Sequence, residues 1–263
     1  MQEFKKTIVS ALLLFHFSAA STQSTRLIKD KAISIYFAFG TNLSFYSKSD
    51  ITFKSSASPA YNFTIRNVRA KDDQGLKFNS GGAPQYSYQV GYYNNRKNWG
   101  IEFNFDHIKY IMQQFQRVRL NGTIDGEQYN LDTLITPGFI RFEHTDGANY
   151  ALLKWVKRIQ LIPPENQKKA LSLVLKAGAG PVIPKTNSTI MGKHKDDSYK
   201  ISGYVAALEG GLLYNFARSL LVEASAKGAY ADYRRFLIAN GTGSQRWFGL
   251  HLNLLFGLQL PGR

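Results

Sequence analysis

Apolar and polar residues alternate one by one along most of the chain. Between Ala32 and Phe45 most odd positions are apolar, whereas the even positions are small or polar. A period of two residues places successive side chains on opposite faces of a β-strand. The same pattern recurs in seven later segments. It therefore predicts eight long strands, at 32–45, 85–93, 99–105, 148–161, 170–180, 201–214, 220–230 and 248–260.

The connections between these strands alternate in length. Three are short (94–98, 163–169 and 215–219) and four are long (46–82, 112–147, 184–198 and 233–245). Short turns on one side, long loops on the other and an even strand number are typical of outer-membrane barrels, because a closed barrel leaves no unpaired edge in lipid. The predicted fold class is all-β, an eight-stranded antiparallel transmembrane barrel with long extracellular loops and short periplasmic turns. Two long loops carry further strand signals, at 61–70 and at 116–129, where Asp125-Gly126 indicates a hairpin turn.

The alternation alone does not say which face points inwards. A secreted lipocalin-like barrel would turn its apolar face inside and carry an apolar ligand. Charged residues on the polar face favour the membrane barrel, because they can form ion pairs inside a lumen too narrow for a pore. These residues are Glu102, Lys176, Glu209, Glu223, Lys227 and His251. Aromatic residues near the strand ends are expected to form interfacial girdles; they include Tyr46, Tyr86, Tyr93, Trp99, Tyr110, Tyr150, Trp155, Tyr199, Tyr214, Tyr230 and Trp247.

The first 20 residues have the three parts of a secretory signal. Lys5-Lys6 precede an apolar run from Ile8 to Phe17, and small residues follow up to Ala20. A buried amino-terminal helix is the alternative, but lysines directly before an uninterrupted apolar run serve no amphipathic packing. We expect a signal peptide over 1–20, a periplasmic segment over 21–31 and the barrel over 32–263. The expected location is the bacterial outer membrane.

The net charge and the absence of cysteine limit the kinds of site and of binding partner that the chain can have. The chain has 33 Lys+Arg against 18 Asp+Glu, a net charge of +15, and no cysteine. The absence of cysteine excludes a disulfide scaffold, a thiolate zinc site and a cysteine nucleophile. A basic chain can bind nucleic acid or an anionic membrane surface, and export argues against nucleic acid. The expected partners are outer-membrane lipids and lipopolysaccharide, bound by a monomer.

Basic residues in the predicted loops are the candidates for that binding. Lipopolysaccharide phosphates accept charge-assisted hydrogen bonds from arginine and lysine. The candidates are Arg66, Arg69, Lys109, Arg117, Arg119, Lys193 and Arg234. The alternative is a mixed, solvated loop surface, because the same loops also contain aspartate and glutamate.

The densest group of metal-ligating residue types joins two segments. Asp106-His107 ends the third predicted strand, and Glu143-His144-Thr145-Asp146 lies where the second long loop returns to the barrel. On adjacent strands these residues would meet at the external rim, and His107, His144, Glu143 and Asp146 would form the metal set. The metal would be Mn, Ca or Zn, and no other cofactor is predicted.

The same residues are also the candidates for catalysis. His107, His144, Asp106 and Asp146 have the side chains of a general acid and base. Strict alternation turns Asp106 to the lumen and His107 to the lipid, so a shared site requires a bulge. The alternative role is a set of rim hydrogen bonds that hold the long loop. The chain has neither G-x-S-x-G nor G-x-x-x-x-G-K-[ST], the motifs of a serine nucleophile and a phosphate-binding loop.

Several segments together resemble a known family. They are Gly100–Lys109, Val118–Gly122, Phe142–Asn149 and Lys176–Gly180. They are similar to a family of eight-stranded bacterial outer-membrane barrels that is distantly similar to lipid A oxidase-like barrels. The matching core is Phe105, His107 and Lys109, followed later by His144. The resemblance implies the barrel fold and carries no residue role.

Two functions follow as hypotheses. The first is an integral, non-porin barrel with a structural or surface-interaction role at the cell envelope that binds lipopolysaccharide. The alternative is a lipid A-modifying, metal-dependent enzyme of the oxidase type. Whether the chain is an enzyme, and on which substrate, is not decided by these patterns.

Overall fold

The computed structural model describes residues 32–73, 85–165, 169–217 and 219–261. All of them belong to one compact unit, Lys31–Arg263. The predicted signal peptide, 1–20, and the segment 21–31 lie outside the described residues. In the part of the chain that is described, no helix is long and apolar enough to cross a membrane.

The described residues form antiparallel strands joined by turns. In chain order these are β1 (Ile33–Tyr46), β2 (Ser49–Ser55), β3 (Tyr61–Val68), β4 (Ala70–Lys71), β5 (Tyr86–Asn94), β6 (Trp99–His107), β7 (Tyr110–Met112), β8 (Arg117–Ile124), β9 (Glu127–Leu134), β10 (Ile140–His144), β11 (Ala148–Glu165), β12 (Lys169–Pro184), β13 (Asn187–Ile190), β14 (Lys193–Asp196), β15 (Gly203–Asn215), β16 (Leu220–Ile238) and β17 (Gly241–Pro261).

Eight of these strands close into a ring. Their order is β1-β5-β6-β11-β12-β15-β16-β17, and β17 returns to pair with β1. This closing ladder runs antiparallel from Ser34 opposite Pro261 to Tyr46 opposite Gly249. The ring confirms the eight predicted strands and the antiparallel barrel, and it leaves no free edge between its first and last strands.

The apolar face of the ring points outwards. On β1 the side chains of Ile35, Phe37 and Phe39 are 52%, 48% and 52% exposed, whereas Tyr36 and Ala38 between them are 3% and 1% exposed. The same alternation runs along β17, where Leu252 and Leu254 are exposed and Asn253 is buried. A lipocalin-like barrel needs the reverse orientation, so the structure excludes that alternative.

The long connections build further sheet beyond the ring. Strands β2, β3, β8 and β9 continue from one end of β17, and β14-β13-β10-β7-β4 form a second sheet. The strand signals at 61–70 and 116–129 are confirmed. Asp125 and Gly126 both have positive φ, 52° and 87°, as the type I′ hairpin turn between β8 and β9 requires.

The prediction of a fourth long loop over residues 233–245 is wrong. Strand β16 continues to Ile238 and β17 starts at Gly241, so the two strands form one extended hairpin. The extension is stabilised from outside the hairpin, because residues 242–245 pair with residues 51–54 of β2. Alternation within one segment does not reveal that partner.

Part of the predicted aromatic girdle is also wrong. Tyr93, Tyr110, Tyr150 and Trp247 are 3%, 0%, 0% and 1% exposed and pack inside the protein. Tyr150 and Trp247 lie at the inward positions of their strands, where nearness to a strand end does not decide the direction of the side chain. Trp155 remains on the outer wall.

Candidate functional site

Charged side chains fill the middle of the barrel. Lys176 is the centre of one half of the network: its Nζ lies 2.8 Å from Glu102 Oε2 and 2.7 Å from Glu223 Oε1. It also donates to Gln89 Oε1 at 3.0 Å. These ion-paired side chains are no more than 3% exposed. The predicted ion pairing inside the lumen is therefore confirmed on this side.

Two further lysines complete the network. Lys154 Nζ lies 2.6 Å from Glu209 Oε2 and 3.3 Å from Glu102 Oε1. Lys227 Nζ lies 2.5 Å from Asp106 Oδ2. We call Lys154, Lys176, Lys227, Glu102, Asp106, Glu209 and Glu223 the lumen network. The lysines and carboxylates of this network pair with one another across the lumen and occupy the space that a porin leaves for water.

Asp106 and His107 face opposite sides of β6. Asp106 belongs to the lumen network and also accepts a hydrogen bond from Ser87 at 2.7 Å. His107 Nδ1 lies 2.9 Å from Asn149 Oδ1, and its ring stacks on Tyr86 with centroids 4.8 Å apart. The β5–β6 ladder is regular through both residues. The bulge that a shared site required is absent from that ladder.

His144 lies in an aromatic core between the ring and the second sheet. Its Nδ1 is 3.0 Å from Thr186 Oγ1. Its ring stacks on Tyr233 at 5.5 Å and meets Phe236 edge-on at 5.2 Å. Burial lowers the pKa of His144 to about 3, so the imidazole is neutral at physiological pH. A neutral, enclosed imidazole suits packing better than proton transfer to a ligand.

The carboxylates near His144 have other partners. Glu143 pairs with Arg141 at 3.3 Å, and Asp146 pairs with Lys185. Over the described ranges, no group of three or more His, Asp or Glu residues is placed to hold a metal ion. The structure therefore does not bring the sequence-predicted metal and catalytic residues together, and neighbours in sequence point into separate environments.

The basic loop residues divide into exposed and buried groups. Arg66 and Arg119 are exposed and pair with Asp50 and Asp132 at 3.1 and 3.3 Å. Arg69, Arg117 and Lys193 are also exposed, and Lys193 donates to the Ser58 carbonyl. Lys109 is different. It is 4% exposed and its Nζ contacts Asp73 at 2.8 Å, so it holds a loop and does not offer a surface charge.

Arg234 lies in a polar cleft just beyond the apolar outer wall. The cleft has a volume of about 700 Å³ and is lined by Lys48, Asp50, Asp232, Arg234, Arg246 and Phe248 among others. Asp232 is 3% exposed. It accepts hydrogen bonds from Arg234 Nε and Nη2 at 2.9 and 2.6 Å and lies 3.2 Å from Arg246 Nε. A buried carboxylate thus fixes two exposed guanidinium groups.

Sequence reasoning missed Arg246. The last predicted strand, 248–260, begins with the outward series Phe248, Leu250 and Leu252. One further step back along the same series reaches Arg246, the first outward charge on β17 beyond the apolar band. That change from apolar to charged at an outward position marks the lipid boundary.

A closed antiparallel ring with an apolar outer wall and an ion-paired interior defines the class of transmembrane β-barrel proteins. No family model matches the chain, and no curated protein does.

Several solved structures are similar to this chain at low identity. The attachment invasion locus protein Ail of Yersinia pestis, in complex with the heparin analogue sucrose octasulfate, is 14% identical with a TM-score of 0.36, covering 87% of this chain and 99% of its own. Neisserial surface protein A is 8% identical with a TM-score of 0.36, covering 88% and 97%. The outer membrane protease OmpT from Escherichia coli is 9% identical with a TM-score of 0.37, covering 90% and 100%. Similarity at this level transfers no residue role, and the barrel rests on its own strand pairing.

Proposed function

We propose that this chain is an integral outer-membrane β-barrel without a pore, which presents its external sheets as an interaction surface and binds lipopolysaccharide. The single observation that carries the proposal is the inversion of polarity: leucine, isoleucine and phenylalanine cover the outside, and lysine and glutamate pair inside. Only a lipid environment favours that arrangement, because in water it exposes the apolar surface and buries the charges.

The packed interior supports the absence of a pore. Lys176 reaches across the lumen to carboxylates on two other strands, β6 and β16. The interior of an eight-stranded ring is narrow enough for side chains to fill it. Porins, by contrast, have about 16 to 18 strands around an aqueous channel. We therefore expect a structural or binding role in place of transport.

The exposed basic residues beyond the apolar wall support lipopolysaccharide binding. Arg66, Arg117 and Arg119 lie on β3 and β8, in the sheet that continues beyond the ring. Their exposed guanidinium groups are suited to phosphates and acidic sugars, which arginine binds in a bidentate manner. The enzyme hypothesis has no comparable support, since His107 and His144 have separate partners.

Location and pore activity are tested together. The full chain is expressed in a bacterial host, the membranes are separated by density, and the purified protein is reconstituted in planar bilayers beside a porin. We expect recovery in the outer-membrane fraction and no stepwise conductance. Recovery in the soluble fraction, or porin-like channels, would contradict the proposal.

Lipopolysaccharide binding is tested by titration calorimetry with the purified, detergent-solubilised chain. A variant that combines Arg66→Gln, Arg117→Gln and Arg119→Gln is expected to bind at least about tenfold more weakly, because each lost charge-assisted hydrogen bond contributes about 1.5 kcal/mol or more. The matched control combines Arg96→Gln, Lys97→Gln and Lys157→Gln, which also removes three cations but at the short-turn end of the barrel. Equal weakening by the control would show that net charge alone is measured.

A further inference from the structure

The outer wall has a groove between β15 and β17. Small side chains form its floor, Ala206 on β15 and Gly228 on β16, and both are exposed. Leu208, Phe248 and Leu250 form its banks and are 71%, 65% and 46% exposed. The groove has a volume of about 720 Å³. We call it the wall groove.

The floor of the wall groove is open at Gly228. A Cβ atom added there would meet only the Leu208 carbonyl oxygen, at 4.0 Å. Inward glycines of the same barrel are different: at Gly211 an added Cβ would lie 2.5 Å from the Ala224 carbonyl oxygen. Gly228 is therefore not required by close packing of the strands, and its missing side chain leaves space on the lipid side.

The external end of the wall groove is closed by an aromatic pair. Tyr230 and Phe248 lie opposite each other on β16 and β17, with ring centroids 5.0 Å apart. Both also line the polar cleft, so the groove and the cleft are continuous. The next outward pair along the same two strands is Asp232 and Arg246. Two residues along a strand are about 7 Å, so the cationic row lies directly beyond the aromatic row.

The cleft keeps unused cationic hydrogen-bond donors. Arg246 contacts Asp232 through Nε, which leaves its terminal nitrogens to the exterior, and its side chain is 65% exposed. Arg234 is held by Asp232 and also lies over the Tyr204 ring at 5.1 Å. Lys48 lines the same cleft and is exposed. Three cations face two carboxylates, and each carboxylate already has an arginine partner.

We propose that the wall groove and the cleft together bind one anionic, phosphate-bearing acyl lipid of the outer leaflet. One acyl chain lies over Gly228 between Leu208 and Leu250, and the phosphate is bound by Arg246 and Lys48. The inference rests on the proposed lipopolysaccharide binding and assigns it a place on the barrel wall, separated by β2 from the strands that carry Arg66 and Arg119. The lipid moiety of lipopolysaccharide has both required parts, a phosphate close to acyl chains.

The test titrates the purified full chain in detergent with bisphosphorylated lipid A and counts bound lipids by native mass spectrometry. Gly228→Leu fills the groove and Arg246→Gln removes the phosphate donor, and each is expected to weaken binding about tenfold. Ala206→Leu is a second groove-filling variant, should Gly228→Leu not fold.

Two control substitutions match these changes. Gly210→Leu places the same side chain at another open glycine of β15, where an added Cβ meets only Leu175 Cδ2 at 3.9 Å. Arg96→Gln removes the same charge from an exposed position in the short turn between β5 and β6. Neither control is expected to change the first bound lipid A, and both are expected to retain the heat-dependent gel migration of a folded barrel.

The outcomes separate this inference from the proposed function. If Arg246→Gln and Gly228→Leu bind like wild type while the Arg66/Arg117/Arg119 variant is weakened, lipopolysaccharide binding stands and the wall site is overturned. If wild type binds lipopolysaccharide but no lipid A, the wall site is overturned and the proposed function stands; if it binds neither, both fail. If inorganic phosphate competes fully and Gly228→Leu has no effect, the cleft is an anion site and the acyl part is overturned. If the two variants change self-association and leave lipid binding unchanged, a second copy covers the groove and the lipid site is overturned.

Discussion

Removing the ammonium group of Lys176 is the most direct test of the lumen network. Lys176→Met keeps most of the side-chain volume and deletes the charge that bridges Glu102 and Glu223. Glu102 retains Lys154 at 3.3 Å. Glu223 retains no cation within ion-pair distance among the described residues, and it stays buried with a bare carboxylate.

The expected cost follows from that asymmetry. Breaking a buried ion pair from one side destabilises a protein by about 3 to 5 kcal/mol, because the remaining charge is left without compensation. Glu223→Gln alone is expected to cost about 1 kcal/mol, since Lys176 keeps Glu102 and the amide oxygen still accepts a hydrogen bond. The double variant Lys176→Met/Glu223→Gln is expected to recover at least about 2 kcal/mol of the stability that Lys176→Met alone loses.

The assay is urea unfolding of the barrel refolded into phospholipid vesicles, followed by the gel migration of the folded form. Lys185→Met is the matched control, because Lys185 also bridges two carboxylates, Asp146 and Asp196, but these are 50% and 49% exposed. Its expected cost is below about 1 kcal/mol. Equal unfolding midpoints for Lys176→Met and Lys185→Met, or a double variant as unstable as the sum of its parts, would refute the reasoning.

Two further outcomes test the aromatic core and the lipid boundary. His144 has a pKa of about 3 when folded against 6.5 when unfolded, so the unfolded state binds more protons between these values and stability falls as pH falls through that window. His144 should contribute about 3 kcal/mol to the loss of stability between pH 7.5 and pH 4.5, and His144→Phe should reduce that loss by about the same amount in urea unfolding. An equal loss in wild type and His144→Phe would contradict the neutral imidazole. Leu254→Arg should cost about 2 to 4 kcal/mol in vesicles if Leu254 faces lipid. Leu131 is the control, because its side chain is 42% exposed, close to the 44% of Leu254. Leu131→Arg should cost little stability because β9 lies in the external sheet. Equal losses of stability would show that both residues face the same environment.

Local alternation was sufficient to predict the barrel because both faces of each strand meet a uniform environment. Lys176 and Glu209 were assigned to the lumen by their position in the period of two, and they lie there as neighbours on β12 and β15. Asp125-Gly126 predicted its turn because two successive positive φ angles favour these residue types. These signals need no information from elsewhere in the chain.

The candidate site could not be read in the same way, because it depends on contacts between distant segments. Lysine is usually a surface residue, yet Lys109 is buried. Its ammonium group contacts Asp73, and its backbone N–H donates to the Gln85 side chain. His144 is enclosed by rings from β16, which no periodicity within the second long loop indicates. Asp106 and His107 are neighbours in sequence, which suggested a common site. In a regular strand, however, consecutive side chains point to opposite faces.

The distribution of charge explains why composition alone suggested nucleic acid. The lumen network holds three lysines and four carboxylates, a net charge of −1. The remaining chain therefore carries +16 when the whole carries +15, and none of the basic excess is used in the network that fills the barrel. Basic residues such as Arg246 instead follow directly after outward apolar residues such as Phe248. Asp232 is the shared partner of both Arg234 and Arg246, so one positive charge remains in excess there, and the proposed lipid phosphate would balance it.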